Sequence, residues 1–227
     1  CEKFGVEIEG ECCCGGLFAD DIVLCAPTMY NLKKLLKRVN KWAIENNMTF
    51  GINKCATMVV RPNKRDEQGR RDPTFYLGNK EIPKTNCYTY LGIPFDNTLS
   101  LKPVINSMNN KVRKALFKAR GFLKNPLIPI PFKRSVISSV VLGIVAYYAP
   151  LLGSNKSRTN GTQQLVNKGL YWISGSKNKN SFVSLYTLSK ELNIPPLSAK
   201  CALAQNRCFE KWKESKCIIS SLKTCET

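Results

Sequence analysis

The hydrophobic pattern changes period at about residue 100, and that change obliges the chain to build two kinds of structure in series. Before it, short apolar runs are punctuated by Gly, Pro and Asn. Residues 4–9, Phe-Gly-Val-Glu-Ile-Glu, alternate as a half-buried strand does. After Gly15-Gly16, the arms Leu17-Phe18-Ala19 and Ile22-Val23-Leu24-Cys25 enclose Asp20-Asp21, which predicts a β-hairpin with both aspartates at its tip. Pro27 ends the second arm and Thr28 stands in N-cap position for a helix over 29–48. Leu32, Leu35, Leu36, Val39, Trp42 and Ala43 form its apolar face, and Lys33, Lys34, Lys37, Arg38 and Lys41 its basic outer surface. Residues 50–60 return to strand character and 61–73 read as a surface loop. Residues 75–77 and 88–95 predict two further strands, with a turn near Gly78-Asn79.

Beyond Ser100 the spacing is helical. Residues 101–124 place Val104, Ile105, Met108, Val112, Leu116 and Phe117 broadly on one face, with Lys111, Arg113, Lys114, Lys118 and Arg120 around the rest, and Pro126, Pro129 and Pro131 close this helix. Further helices are predicted over 132–149, 162–174 and 198–214. The 21 residues between Arg134 and Lys156 are uncharged, long enough to span a membrane. Ser135, Ser138, Ser139, Pro150 and Gly153 dilute that run, so the reading is a buried helix and no membrane partner is expected.

Charge narrows the function. The 227 residues carry 35 Lys and Arg against 16 Asp and Glu, a formal net charge of +19. Residues 1–100 hold 14 basic and 12 acidic side chains, whereas 101–227 hold 21 and 4. A polyanion is the natural partner of the second part, because each neutralised phosphate releases condensed counterions. Histidine is absent, which excludes Ser-His-Asp and Cys-His catalysis and His-ligated zinc. The 11 cysteines are odd in number and no secretory signal opens the chain, so they read as reduced thiols of an intracellular protein. Cys12-Cys13-Cys14 is too crowded for tetrahedral ligation, and Cys201, Cys208, Cys217 and Cys225 lack zinc-site spacing. The first residue is Cys1 rather than Met, which points to a fragment of a longer protein.

Asp20 and Asp21 are the candidate chemistry. Two adjacent carboxylates repel, and a divalent cation removes that cost, as in two-metal phosphoryl transfer. Aspartate is equally an ordinary hairpin-turn residue, so a plain turn stands beside the metal reading.

The order of Phe18-Ala19-Asp20-Asp21 on a hairpin, a long amphipathic helix, Gly51-Ile52-Asn53-Lys54 and Tyr90-Leu91-Gly92-Ile93 resembles the second half of a reverse transcriptase, most like those of LINE-type non-LTR retrotransposons. The resemblance implies an α+β fold: a partial polymerase palm over 1–98, with antiparallel strands and a packed helix, then an all-helical thumb over 99–153 and a connection region over 154–227. It implies RNA-directed DNA synthesis with Mg²⁺ (or Mn²⁺), an RNA template, a DNA primer or target and deoxynucleoside triphosphates. Asp20 would bind both catalytic metals, with Asp21 beside it. Lys54 would assist pyrophosphate departure, although the family's usual lysine position is Ala56 here and Lys54 serves only if the local register differs. Tyr90, Leu91 and Gly92 match the primer grip, and Lys111, Arg113, Lys114, Lys118 and Arg120 would track nucleic-acid phosphates. The fingers and the other half of the palm should then precede residue 1, leaving this chain alone inactive; the site of action would be nuclear. Two alternatives remain: a non-catalytic basic helical protein that binds RNA or DNA, and a membrane-associated protein using residues 135–155.

Overall fold

The computed structural model describes residues 2–8, 10–61, 72–175 and 184–215, and divides the chain into residues 1–100 with 212–227 and residues 101–211. The loop expected over 61–73 falls mostly outside the described residues, as do Cys217 and Cys225.

The first unit is built from small antiparallel pairs. β1 (Val6–Ile8) pairs with β2 (Glu11–Cys13), β3 (Gly15–Phe18) with β4 (Asp21–Leu24), β5 (Tyr76–Leu77) with β6 (Lys80–Glu81), and β7 (Cys87–Tyr90) with β8 (Ile93–Asp96). Helix α1 (Met29–Glu45) starts where the Thr28 hydroxyl accepts the Asn31 amide at 3.2 Å, and ends in Asn46 and the left-handed Asn47. Its apolar face lies on the unit's core: Leu32 and Leu36 pack against Phe75, Leu77 and Ile82, joined by Phe50, Ile52 and Cys55.

Three expectations are corrected here. Residues 50–60 do not form a strand: Ile52–Lys54 is a 3₁₀ turn, and Thr57 makes one bridge to Lys84. The apolar side chains that suggested a strand instead plug the core under α1. Residues 88–95 are not one strand but a hairpin, because Leu91-Gly92 reverses the chain between β7 and β8. The turn at Gly78-Asn79 joins β5 to β6, not 75–77 to 88–95.

The second unit is helical. α2 (Lys102–Lys118) buries Val104, Met108, Val112 and Leu116, one residue per turn. The helix expected over 101–124 breaks at Ala119, after which α3 (Arg120–Lys124) begins. α4 (Ile130–Val136), a π segment (Ile137–Val141) and α5 (Leu142–Leu152) follow one another, Pro150 lying inside the last. Pro131 opens α4 instead of closing the helix before it, since its missing amide is an orphan donor there. This run, Ile130–Leu152, is long and apolar enough to cross a membrane. Its Ile137, Val141, Leu142, Val145, Tyr148, Ala149 and Leu152 are buried inside the helical unit. α6 (Lys156–Ile173), capped by Asn155, begins six residues earlier than the pattern indicated. α7 (Leu185–Glu191), not foreseen, and α8 (Leu197–Lys213) complete the unit.

Helix α6 crosses closely over α2 and the π segment at Gly169. A Cβ there would sit 2.9 Å from Ile137 Cδ1 and 3.0 Å from Leu116 Cδ1, both on wholly buried side chains with no room to retreat. Gly169→Val is expected to destabilise the chain by about 1–3 kcal/mol, because the added methyls overpack a filled seam. Urea unfolding followed by circular dichroism measures this, and an unchanged midpoint would show that the helices do not meet at this residue.

Candidate functional site

The carboxylate hairpin takes its register from a glycine. Gly15 sits at φ 142° opposite Leu24, and a Cβ on it would collide with the Val23 carbonyl oxygen. With that end locked, Phe18 pairs with Asp21 and the two-residue turn consists of Ala19 and Asp20. Ala19 takes φ 52°, the left-handed first position of a II′-type turn. Only Asp20 is thus a turn residue, whereas Asp21 is the first residue of β4, a one-residue correction to the expected tip. Both are exposed, and so are their apolar neighbours Leu17 at 76% and Phe18 at 61%.

These carboxylates are hard oxygen donors of the kind Mg²⁺ takes, but two adjacent residues do not complete an octahedral set. Among the described residues no group of three His, Cys, Asp or Glu converges to hold an ion. The described part of this chain is therefore not a complete metal site.

Lys54 lies at the end of the 3₁₀ turn, exposed, and forms no ion pair with Asp20 or Asp21 among the described residues. Its carbonyl accepts the Tyr88 hydroxyl at 2.7 Å. The structure thereby ties the Gly51–Lys54 turn to the β7–β8 hairpin. That hairpin turns through Leu91 at φ 47° and Gly92 at φ 76°, both left-handed as an I′ turn requires. Glycine is at ease there; leucine is strained by about 1–2 kcal/mol.

In the helical unit the predicted basic residues separate into two groups. Arg113, Lys114 and Lys118 are exposed on α2 and make no ion pair among the described residues. Lys111 is engaged: its ammonium donates to the Tyr148 hydroxyl at 2.6 Å and lies 5.2 Å from that ring's centroid. Arg120 belongs to α3, with its guanidinium carbon 5.8 Å from the centre of the Trp172 ring. Lys168 was missed by sequence reasoning. It stands one turn before Trp172 on α6, and its ammonium lies 5.3 Å from the Phe117 ring and 5.8 Å from that of Trp172. The Lys168/Trp172 spacing was a usable signal, but the partner ring on α2 was not foreseeable from it.

The described cysteines are free thiols. Burial pushes the Cys201 thiol up, partly opposed by Lys200. Burial likewise raises Cys55, and raises Cys25 with help from the neighbouring Cys13 and Cys14 thiols. Thiols held in the neutral form are poor nucleophiles and poor metal ligands, which fits a structural role.

Comparison with known proteins gives one relative. The chain is 28% identical over 139 residues to the retrovirus-related Pol polyprotein from type-2 retrotransposable element R2DM of Drosophila melanogaster, the match covering 56% of this chain and 13% of that protein. No protein-family model matches the chain. No solved structure matches it significantly. The similarity to the Pol polyprotein supports a retrotransposon-related, reverse-transcriptase-related origin for this chain.

Proposed function

We propose that the chain is the C-terminal part of a LINE-type reverse transcriptase, working on an RNA template, a DNA primer and deoxynucleoside triphosphates in the nucleus. The observation that carries this reading is the hairpin that exposes Asp20 in its turn and Asp21 at the start of β4, on a chain similar to a Pol polyprotein. In this reading the first unit is the remainder of the palm, and the helical unit is thumb and connection. Asp20 and Asp21 supply part of a Mg²⁺ (or Mn²⁺) cage whose other donors lie outside the described residues. A metal bound there would activate a primer 3′-hydroxyl and stabilise departing pyrophosphate. Lys54 stands on the turn tied to the β7–β8 hairpin, whose Leu91-Gly92 bend lets backbone approach a sugar-phosphate closely. Arg113, Lys114 and Lys118 bind phosphates without reading sequence.

A second reading, a non-catalytic nucleic-acid-binding protein, draws on one observation. No Asp or Glu occurs between Asp96 and Glu191, so every charged side chain in that stretch is basic. Primer extension separates the two. The 227-residue chain is expected to bind RNA and DNA, with affinity falling steeply with salt, and to extend no primer. A longer polypeptide containing it is expected to extend primers with Mg²⁺, and Asp20→Asn to reduce that synthesis to background. Synthesis at the wild-type rate by the Asp20→Asn polypeptide would overturn the catalytic reading.

The strained turn offers an independent check. Leu91→Asn places a residue suited to an I′ turn at that position and is expected to stabilise the chain by about 1 kcal/mol in thermal unfolding. In the longer polypeptide the same change is expected to raise the KM for primer, because the strained bend is what the primer meets. A stabilised variant with unaltered primer KM would remove Leu91 from the primer site.

A further inference from the structure

We propose that Phe117, Arg120, Lys168 and Trp172 form a binding site for one unpaired nucleotide of single-stranded nucleic acid, its base stacked on Phe117 and its phosphate held by Arg120 and Lys168. This rests on the reading of the helical unit as a nucleic-acid surface and not on catalysis.

The geometry joins α2, α3 and α6. Phe117 meets Trp172 edge to face, with centroids 5.7 Å apart and planes at 83°. Trp172 is nearly buried and anchors the pair, whereas Phe117 is 45% exposed. Its neighbour Leu116 is wholly buried in the seam, so the exposed ring stands on a rigid helix. Lys168 approaches both rings, and Arg120 approaches Trp172. Two cations thus gather at one indole.

Both cations are exposed, and the aromatic rings beside them neutralise neither charge. Neither cation forms an ion pair among the described residues, and the chain offers no carboxylate between Asp96 and Glu191. Both charges are therefore open to an external anion. The anion that also uses an exposed, immobilised ring beside it is a nucleotide, since every base has a face to stack and a phosphate one bond system away. The base must be unpaired, because within a duplex both of its faces are already covered by neighbours. This distinguishes the site from the α2 lysines, which any phosphate backbone satisfies.

The test measures binding of the whole chain to a DNA single strand, an RNA single strand and a blunt duplex of equal length, by fluorescence anisotropy over a range of salt. Phe117→Leu is expected to weaken single-strand binding about 5- to 100-fold, to leave the salt slope alone and to spare the duplex. Lys168→Gln is expected to lower the single-strand salt slope by about 0.7. Phe117→Tyr, which retains the ring, is expected to bind as the wild type does and so separates loss of stacking from loss of fold. Equal losses on DNA and RNA indicate stacking alone, and a larger loss on one identifies the preferred strand; either supports the site. Equal loss on single strand and duplex, or no loss with Phe117→Leu, overturns it while leaving the basic surface intact. Absence of any nucleic-acid binding by the wild type overturns both this site and the reading beneath it. Binding of an acidic peptide in place of the single strand, with the same dependence on Phe117, would assign the site to a protein partner and overturn the proposal.

Discussion

Between Asp96 and Glu191 the chain carries no carboxylate, and the helical unit must therefore cohere without internal ion pairs across that stretch. Its packing follows from this constraint. The apolar stripe of α2 and the buried side of the Ile130–Leu152 run supply the area removed from water, and Gly169 lets α6 close onto both. Polar links between helices use neutral acceptors: Thr162 donates to Asn109, and the Leu197 amide to Gln163. The cations do the same. Lys111 turns to a tyrosine hydroxyl, Arg134 to the Leu192 carbonyl, Arg158 to the Leu152 carbonyl, and Arg120 and Lys168 to aromatic rings. Such partners fix the stems and heads of these side chains but leave their charge uncompensated, so the unit's surface remains a field for anions.

Where apolar spacing alone decides an element, the sequence was sufficient. Helix α1 was expected over 29–48 and ends at Glu45, and α8 was expected over 198–214 and spans Leu197–Lys213. Elements decided by backbone geometry were less legible. The turn of the carboxylate hairpin depends on Gly15 fitting against Val23, a contact between opposite strands that no local pattern reports. The pairing of β7 with β8 was not read from residues 88–95 because Leu-Gly is not a usual hairpin dipeptide, leucine being strained where asparagine would sit easily. Residues 50–60 carry strand-like composition yet serve the core as an irregular plug, tertiary burial overriding propensity. The start of α6 is polar and was invisible to periodicity, its beginning being set by the Asn155 cap.

The candidate sites divide along the same line. Asp20, Asp21 and the α2 basic residues are legible because composition and position in sequence announce them. The aromatic–cation cluster was not, because it exists only when α6 is laid against α2. Lys111 shows the reverse error: by sequence it is one more exposed lysine, but folding assigns it to Tyr148.

Segregation of charge also explains why the carboxylates remain available. In a chain with a net charge of +19, exposed aspartates placed among lysines would be neutralised by side chains. The acidic residues are instead concentrated in the nearly balanced first 100 positions, and the hairpin flanks Asp20 and Asp21 with Leu17, Phe18 and Ile22 rather than with cations. Among the described residues neither aspartate is paired with a lysine or arginine. A left-handed Ala19 stores backbone strain in this turn. A turn needed only to reverse the chain would be relieved of that strain by Gly at position 19. The strain is thus carried by a hairpin whose two aspartates are exposed and, among the described residues, free of lysine and arginine.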